Sequence, residues 1–349
     1  MRKKYRVSVV GATGRIGNDI VNLLHERKFP ISQLVPLSSI NSAGREVFFG
    51  EQRIKAIDVA TYDFKSDEII FFALDDEPTK KYLPRAFDTS HATIIDNSSA
   101  FRMNEKVALV TSGVNDQDIF DMMGSRIISN PNCCTIPITI LLDAILKNSD
   151  LRIKRVNVTT FQSVSGAGTQ AMNELFSQTK SKFGAPFEKD DGKEKVFEKQ
   201  IAFNCIPKVG SILNDGYSTE EDKIIKETRK IMHLPNLKVN ATCVRVPVFV
   251  GHGEVVNIEF EDGCEKVSYD EIYDIINSHD LIEIYDNFQG NYHTPIDCIK
   301  SDEVLISRLR IDPSVKNGIC LWMVSDNLHL GGALNAVKIA EKLISDFEE

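Results

Sequence analysis

The stretch YRVSVVGATGRIGNDIVNLLHER, residues 5–27, constrains the fold of this chain more than any other. Tyr5 to Val10 read as a strand, and Ile16, Ile20, Val21 and Leu24 recur at helical spacing. Between them stand glycines at 11, 14 and 17. Glycine lets a backbone turn tightly and approach a phosphate, and the helix that follows offers unpaired N–H groups and the positive end of its dipole. The spacing is G-x-x-G-x-x-G rather than G-x-G-x-x-G, and a ligand-free strand-to-helix turn is the plain alternative. As the first such turn of the chain it predicts a dinucleotide cradle, with Gly11, Thr13, Gly14, Arg15 and Ile16 as candidate contacts.

Short apolar runs continue at LVPLSS, IIFFAL, ATIIDNSS, ALVTSGV and RIISNP, with helical patterns between several of them. That alternation predicts a mainly parallel sheet covered on both faces. Near residue 150 the texture changes. RIKRVNVTTFQSVSG, KVNATCVRVPVFVG, GEVVNIEF, VLISRLRID and GICLWMVSD are long strands, the first in clear alternation, and they predict an α+β region with a mostly antiparallel sheet. The charged segment 184–200 reads as a solvated loop or arm. HLGGALNAVKIAEKLISDF closes the chain as an amphipathic helix.

A chain of 349 residues holds about two domains. Its net charge of −9 argues against a nucleic-acid binder, so an anionic ligand would depend on a few placed Arg and Lys. The seven cysteines follow no framework spacing, the N-terminus lacks the apolar core of a secretion signal, and no apolar run reaches the ~18 residues of a membrane span. These features predict a cytoplasmic protein with reduced thiols and no membrane partner. Without C-x-x-C or H-x-x-x-H, no metal site is expected.

Selectivity between nucleotides is read at the end of the second strand. An NAD site places a carboxylate there for the ribose 2′-hydroxyl. PLSSINSAGRE offers Ser38, Ser39, Asn41 and Ser42 and no acid until later, which favours the 2′-phosphate of NADP.

In SNPNCCTIP, residues 129–137, Cys133 arrives about where an apolar helix begins, and Pro137 suits a first turn. A helix N-terminus favours thiolate, the nucleophilic form. The alternative is that both Cys133 and Cys134 are small buried hydrophobes.

Taken together, GATGRIG, DNSSAFRM, SNPNC, FQSVSGAG, GYSTEEDK, CVRVPVFVGH and DNLHLGGALNAVKIAE occur in the order found in aspartate-semialdehyde dehydrogenases of the bacterial type, which the chain resembles over nearly its whole length. The resemblance implies reductive dephosphorylation of L-aspartyl 4-phosphate by NADPH, through a cysteine thioester, to aspartate semialdehyde and phosphate. That step leads to lysine or diaminopimelate, threonine and methionine. It implies a Rossmann-type domain of residues 1–132 and 328–349, a catalytic and dimerisation domain of residues 133–327, and a homodimer or homotetramer. Matched residue by residue, it implies Cys133 as nucleophile, Cys134 in packing, His252 as acid and base, and Gln162 positioning the acyl group. Arg245 would grip the substrate carboxylate and Glu220 its ammonium, while Arg102, Asn132 and Lys223 surround the phosphate. Ser39, Asn41, Ser42, Ser165, Gly166 and Asn327 would complete the NADP site.

The chain departs from the family pattern in three places. Asn41 stands where many relatives have an Arg on the 2′-phosphate, which leaves NAD open as a cofactor, with Arg45 nearby as a substitute. Asp75 and Asp76 replace a small-residue segment, and no Arg-Lys pair follows DNL. The nearest rival, N-acetyl-γ-glutamyl-phosphate reductase, typically reads NPGC at the nucleophile, where this chain reads NPNC. A silent nucleotide-binding paralogue would be expected to lose Cys133 or His252.

Overall fold

The computed structural model describes residues 3–121, 125–183, 195–285 and 289–346. The chain divides into two compact units, one of residues 1–136, 230–232 and 329–349 and the other of residues 137–229 and 233–328.

The first unit runs β1 (Tyr5–Val10), α1 (Arg15–Glu26), β2 (Ile31–Ser38), β3 (Glu46–Phe49), β4 (Gln52–Lys55), β5 (Ile57–Asp58), β6 (Ile69–Phe72), α2 (Asp76–Thr89), β7 (Thr93–Asp96), β8 (Ala108–Leu109), α3 (Asp118–Asp121) and β9 (Ile127–Ser129). Seven strands form one sheet in the order β5-β2-β1-β6-β7-β9-β8, and every pairing is parallel. β3 and β4 make a separate hairpin. The chain builds outward from β1 to β2 and β5, then restarts on the other side of β1 at β6. That reversal opens a crevice at the carboxyl ends of the strands, where ligands bind in such sheets.

The central strands are apolar on both faces because helices and loops cover both. Val10, Leu37, Phe64, Ile70, Phe72, Leu83 and Ile94 form one fully buried cluster. Each such side chain contributes about 1.5–3 kcal/mol relative to exposure. α1 buries Ile20, Val21, Leu23 and Leu24, the stripe that its sequence periodicity indicates.

From β9 the chain enters α4 (Thr135–Lys147). The second unit continues as β10 (Ile153–Gln162), α5 (Gly168–Phe183), α6 (Thr219–Ile231), β11 (Lys238–Arg245), β12 (His252–Phe260), α7 (Tyr269–Asn277), β13 (Ile282–Ile284), β14 (Val304–Ile311) and β15 (Gly318–Ser325), with the last residues of α6 counted in the first unit. Its sheet, ordered β11-β10-β12-β15-β14-β13, is antiparallel in the three central pairings and parallel at both edges. Alternation along β10 buries Val156, Val158, Thr160 and Gln162 on one face, and β12 buries His252, Glu254, Val256, Ile258 and Phe260.

Residues 184–194 of the charged segment lie outside the described residues, and 195–200 form an irregular, exposed stretch as expected, with only Phe197 half-buried. Glu174 on α5 accepts the backbone N–H groups of Val196 and Phe197, at 2.7 and 3.3 Å, and Gln178 accepts those of Ile201 and Ala202, at 2.9 and 3.0 Å. Ile201 and Ala202, just past the segment, are buried with Leu175 and anchor its end to α5. The chain's last helix departs from expectation, because it is not uniform. A buried π-helical turn, His329–Leu334, precedes α8 (Asn335–Asp346). No helix among the described residues is long and apolar enough to cross a membrane.

Candidate active site

In the first unit, the carboxyl ends of β1, β2, β7 and β9 carry all the candidate residues that precede residue 134. The glycine turn after β1 has the shape that its sequence requires. Gly11 adopts φ +88°, and a Cβ there would lie 2.3 Å from the Ala73 carbonyl oxygen. A Cβ on Gly17 would lie 2.2 Å from the Gly11 carbonyl oxygen. Neither contact is possible for a side chain, so only glycine permits α1 to start this close to β1. Gly14 caps α1 without a side-chain hydrogen bond, and the first turn contains no acid. The first turn of α1 thus brings its N–H groups and the positive end of the helix dipole to the end of β1 with no acid in that turn. This cradle fits a dinucleotide pyrophosphate. After β2, Ser39 precedes a short 3-10 turn of Ile40–Ser42. Ser39, Asn41 and Arg45 are exposed and Ser42 is half-buried, with no carboxylate among them.

After β9 the structure separates the two cysteines. Asn132 caps α4: its Oδ1 accepts the Cys134 N–H at 2.8 Å, and its carbonyl accepts those of Thr135 and Ile136 at 2.9 and 3.1 Å. Cys133 is the next residue and half-buried, at the positive end of α4, whereas Cys134 is completely buried. Burial pushes the thiols of Cys243, Cys298 and Cys320 up, Cys298 to about 12, which keeps them protonated and inert. Cys133 thus differs from these three in both exposure and electrostatics.

The DNSSAFRM loop after β7 is held from inside. Asp96 Oδ1 and Oδ2 accept the Ser98 N–H and hydroxyl, each at 2.9 Å. Arg102, 7% exposed, donates to the Asn97 carbonyl at 2.8 Å. Asp76, which the sequence leaves unexplained, accepts the Ser99 N–H at 2.7 Å and its hydroxyl at 2.6 Å. It is a brace for this loop. Asp75 occupies the N-cap position of α2, without a capping hydrogen bond from its side chain.

Burial raises the Asp96 carboxyl from the ordinary 3.8 to about 6, against the pull of its Ser98 hydrogen bonds and of Arg102. The folded state therefore binds this proton more tightly than the unfolded state does. The resulting stability is fully present below pH 3.8 and is lost as pH rises through about 6. Asp96→Asn should gain on the parent by about 2 kcal/mol between pH 4 and pH 7. Chemical denaturation at several pH values measures this, and a difference that stays flat with pH refutes it.

The second unit gathers the remaining candidates at one end of its sheet. Gln162 and Arg245 are partners in the β10–β11 register, and β12 begins at His252 alongside. All three are at least nine-tenths buried. Gln162 Nε2 donates to Glu220 Oε1 at 3.2 Å, and Lys223 Nζ stands 3.9 Å from Glu220 Oε2. The neighbouring Glu221 has a different task, accepting the N–H groups of Ser218 and Cys243 at 2.6 and 2.8 Å to fix the start of α6. Arg245 Nη1 donates to the Ser163 carbonyl at 2.7 Å.

Ser163 is the residue that the sequence did not single out. Its backbone N–H donates to His252 Nδ1 at 3.1 Å, and its hydroxyl lies 3.1 Å from the same atom. The N–H is a fixed donor and holds Nδ1 as a bare acceptor, so the neutral ring carries its proton on Nε2. Nε2 is buried without a hydrogen-bond partner among the described residues. Asn327 Oδ1 accepts from the hydroxyls of Ser163 and Ser165, each at 3.2 Å, and from Gly251 N–H at 3.0 Å, while its Nδ2 donates to Ser165 Oγ at 3.0 Å. Asn327 therefore braces the histidine's support. A Cβ on Gly166 would lie 3.0 Å from Arg245 Nη1 and 3.4 Å from His252 Nε2, so glycine keeps this nitrogen uncovered.

Comparison with known proteins identifies the family. Residues 6–122 match the semialdehyde dehydrogenase NAD-binding domain, and residues 142–330 match the semialdehyde dehydrogenase dimerisation domain. An aspartate-semialdehyde dehydrogenase of Rickettsia bellii is 42% identical over 348 residues, covering 99% of this chain and all of its own. The one from Aquifex aeolicus is 40% identical, covering 98% of each chain. The crystal structure of aspartate semialdehyde dehydrogenase II of Vibrio cholerae, complexed with ASA, superposes with a TM-score of 0.91 at 36% identity and 99% coverage of both chains. With its glycine cradle, helix-capped cysteine and buttressed histidine, the chain belongs to the aspartate-semialdehyde dehydrogenase family.

Proposed function

We propose that this chain is an NADP-dependent aspartate-semialdehyde dehydrogenase that reduces L-aspartyl 4-phosphate to L-aspartate 4-semialdehyde. The observation that carries the reading is Cys133, half-buried at the capped N-terminus of α4, in a chain 42% identical to a relative of that name.

The residues divide the chemistry between them. Cys133 Sγ attacks the acyl carbon, the C–O bond to phosphate breaks, and a thioester remains. Arg102, Lys223 and the amide nitrogen of Asn132 are suited to a leaving dianion, which two cations and a neutral donor stabilise. Gln162 positions the acyl group. Arg245 offers a planar fork to the substrate carboxylate, and Glu220 a carboxylate to its ammonium. The bound nicotinamide supplies the hydride that reduces the thioester. His252 Nε2 moves the proton that thiol and thiohemiacetal exchange as the C–S bond forms and breaks. Gly11, Thr13, Gly14, Arg15 and Ile16 would hold the pyrophosphate. Ser39, Asn41 and Ser42 would meet the ribose end, and Ser165, Gly166 and Asn327 the nicotinamide end.

The same reading implies a cytoplasmic homodimer. In its support, Phe176, Phe183 and Phe203 are 61%, 80% and 64% exposed within the stretch that matches the dimerisation domain, and Phe183 packs edge-on to Phe203. Such a cluster of aromatic side chains suits burial against a second copy.

Phosphate-dependent reduction of NADP and NAD, with aspartate semialdehyde beside N-acetylglutamate semialdehyde, tests the assignment. Turnover is expected with the first aldehyde only, with NADP preferred for want of a carboxylate at the end of β2. Turnover of the acetylated aldehyde would transfer the chain to the reductase alternative.

A further inference from the structure

The π-helical turn His329–Leu334 has no role in the chemistry described above, yet its backbone meets two of the residues that chemistry needs. Leu330 through Leu334 are buried. A Cβ built on Gly331 would lie 2.6 Å from Cys133 Cβ and 3.0 Å from Cys133 Cα. One built on Gly332 would lie 3.2 Å from both Ile16 Cδ1 and Ile16 Cγ1. Consecutive glycines therefore present bare backbone to the cysteine and to the first turn of α1. Neither glycine has a positive φ, so it is close approach that requires glycine here.

The turn is fixed from the other side by asparagine amides. Asn130 Nδ2 donates to the Gly331 carbonyl at 2.8 Å, and Asn97 Nδ2 donates to the Gly332 carbonyl. Asn335 Nδ2 donates to Asn130 Oδ1 at 2.7 Å and to the Val110 carbonyl at 2.9 Å, while its Oδ1 accepts the Ser112 N–H at 2.8 Å. Asn97 and Asn130 are the residues directly after β7 and β9. The turn is thus referenced to the sheet that also carries Cys133 and α1. π-helical turns inside longer helices are often found at functional sites, because the wider ladder places backbone where an α-helix cannot.

The geometry points to Gly331 and Gly332 as positioning residues that set the Cys133 sulfur and the α1 N-terminus against one rigid backbone turn, with Asn97, Asn130 and Asn335 as its anchors. Gly331 fixes the depth of the nucleophile. Gly332 fixes the side of the dinucleotide cradle at Ile16. The turn thereby registers attacking atom to cofactor site, where an error of about 1 Å costs about 100-fold in rate. This inference rests on Cys133 being the nucleophile.

Three readouts on the full-length enzyme test it: kcat, the KM for the nucleotide, and the rate of Cys133 alkylation by iodoacetamide, followed by mass spectrometry. Gly331→Ala is expected to lower kcat about 100-fold and to slow alkylation, with the nucleotide KM within about twofold. Gly332→Ala is expected to raise the nucleotide KM about tenfold, one hydrogen bond's worth or so, while alkylation is unchanged. Adding Ile16→Val, which removes the Cδ1 methyl facing that Cβ, is expected to restore the KM. Equal effects of the two glycine variants on all three readouts would show general destabilisation and overturn the inference. So would a folded Gly331→Ala with parental kcat and alkylation. If Gly331→Ala does not fold, Asn335→Ala decides, with slower alkylation and about tenfold lower kcat expected and parental values overturning. Alkylation needs no turnover, so it reads the geometry independently. An active Cys133→Ala would instead remove the catalytic assignment while leaving the alkylation result in place.

Discussion

Replacing Cys133 with alanine is expected to lower turnover by about 10⁵-fold or more while leaving the fold intact. Removing a covalent nucleophile has effects of that order. The thiol is half-buried in the turn before α4, and the cap of that helix, made by the side chain and carbonyl of Asn132, is untouched by the substitution. Mass spectrometry of the parent, quenched during turnover, should detect the acyl thioester on the peptide containing Cys133, and the variant should show none. Labelling at mildly acidic pH gives a second view. Cys134, Cys243, Cys298 and Cys320 are buried, so exposed Cys205 is the proper comparison for the rate at Cys133. Were Cys133→Ala to retain more than a tenth of the activity, a different nucleophile would have to be sought.

Replacing His252 with asparagine should lower kcat by about 10²–10⁴-fold, the range for loss of a placed acid and base. Nucleotide KM should move little, because the ring belongs to the proton chemistry and not to the dinucleotide cradle. The limb of the pH–rate profile that reports the imidazole should disappear as well, which a merely structural histidine would not cause. Ser163→Ala separates support from chemistry. It keeps the backbone N–H on Nδ1 and deletes only the hydroxyl, which lies 3.1 Å from the same nitrogen. The cost should be smaller, about tenfold, one neutral hydrogen bond. A pH profile of His252→Asn with both limbs intact would assign the proton transfer elsewhere.

Much of the fold was legible because the signals are local. The apolar run of β1, the three glycines and the stripe of α1 lie within two dozen residues, and each is selected by backbone sterics or by periodic burial. The place of Cys133 at a helix start was legible for the same reason, since the turn and the apolar run that mark it are adjacent in sequence; that Asn132 caps the helix was not read. The charged segment's exposure was legible from its composition, but its tether was not, because charge content describes the side chains and not the backbone N–H group of Val196, which Glu174 on α5 accepts. The final helix misled because an apolar stripe marks which face is buried and not whether the backbone closes i→i+4 or i→i+5 hydrogen bonds.

What the sequence determined by itself was the α/β class, the glycine turn after β1 and, through seven ordered motifs, the family. Only the tertiary structure decided what holds those residues in place. Asp76 reaches Ser99 across 23 residues, Ser163 reaches His252 across 89, and Asn335 reaches Asn130 across 205. Gly331 meets Cys133 only once the last strands and turns are laid down. Nothing in residue type or spacing specifies such pairs. An asparagine amide or a bare glycine backbone is chemically generic, and it acquires a partner only when strand order and register bring one within hydrogen-bonding or van der Waals distance.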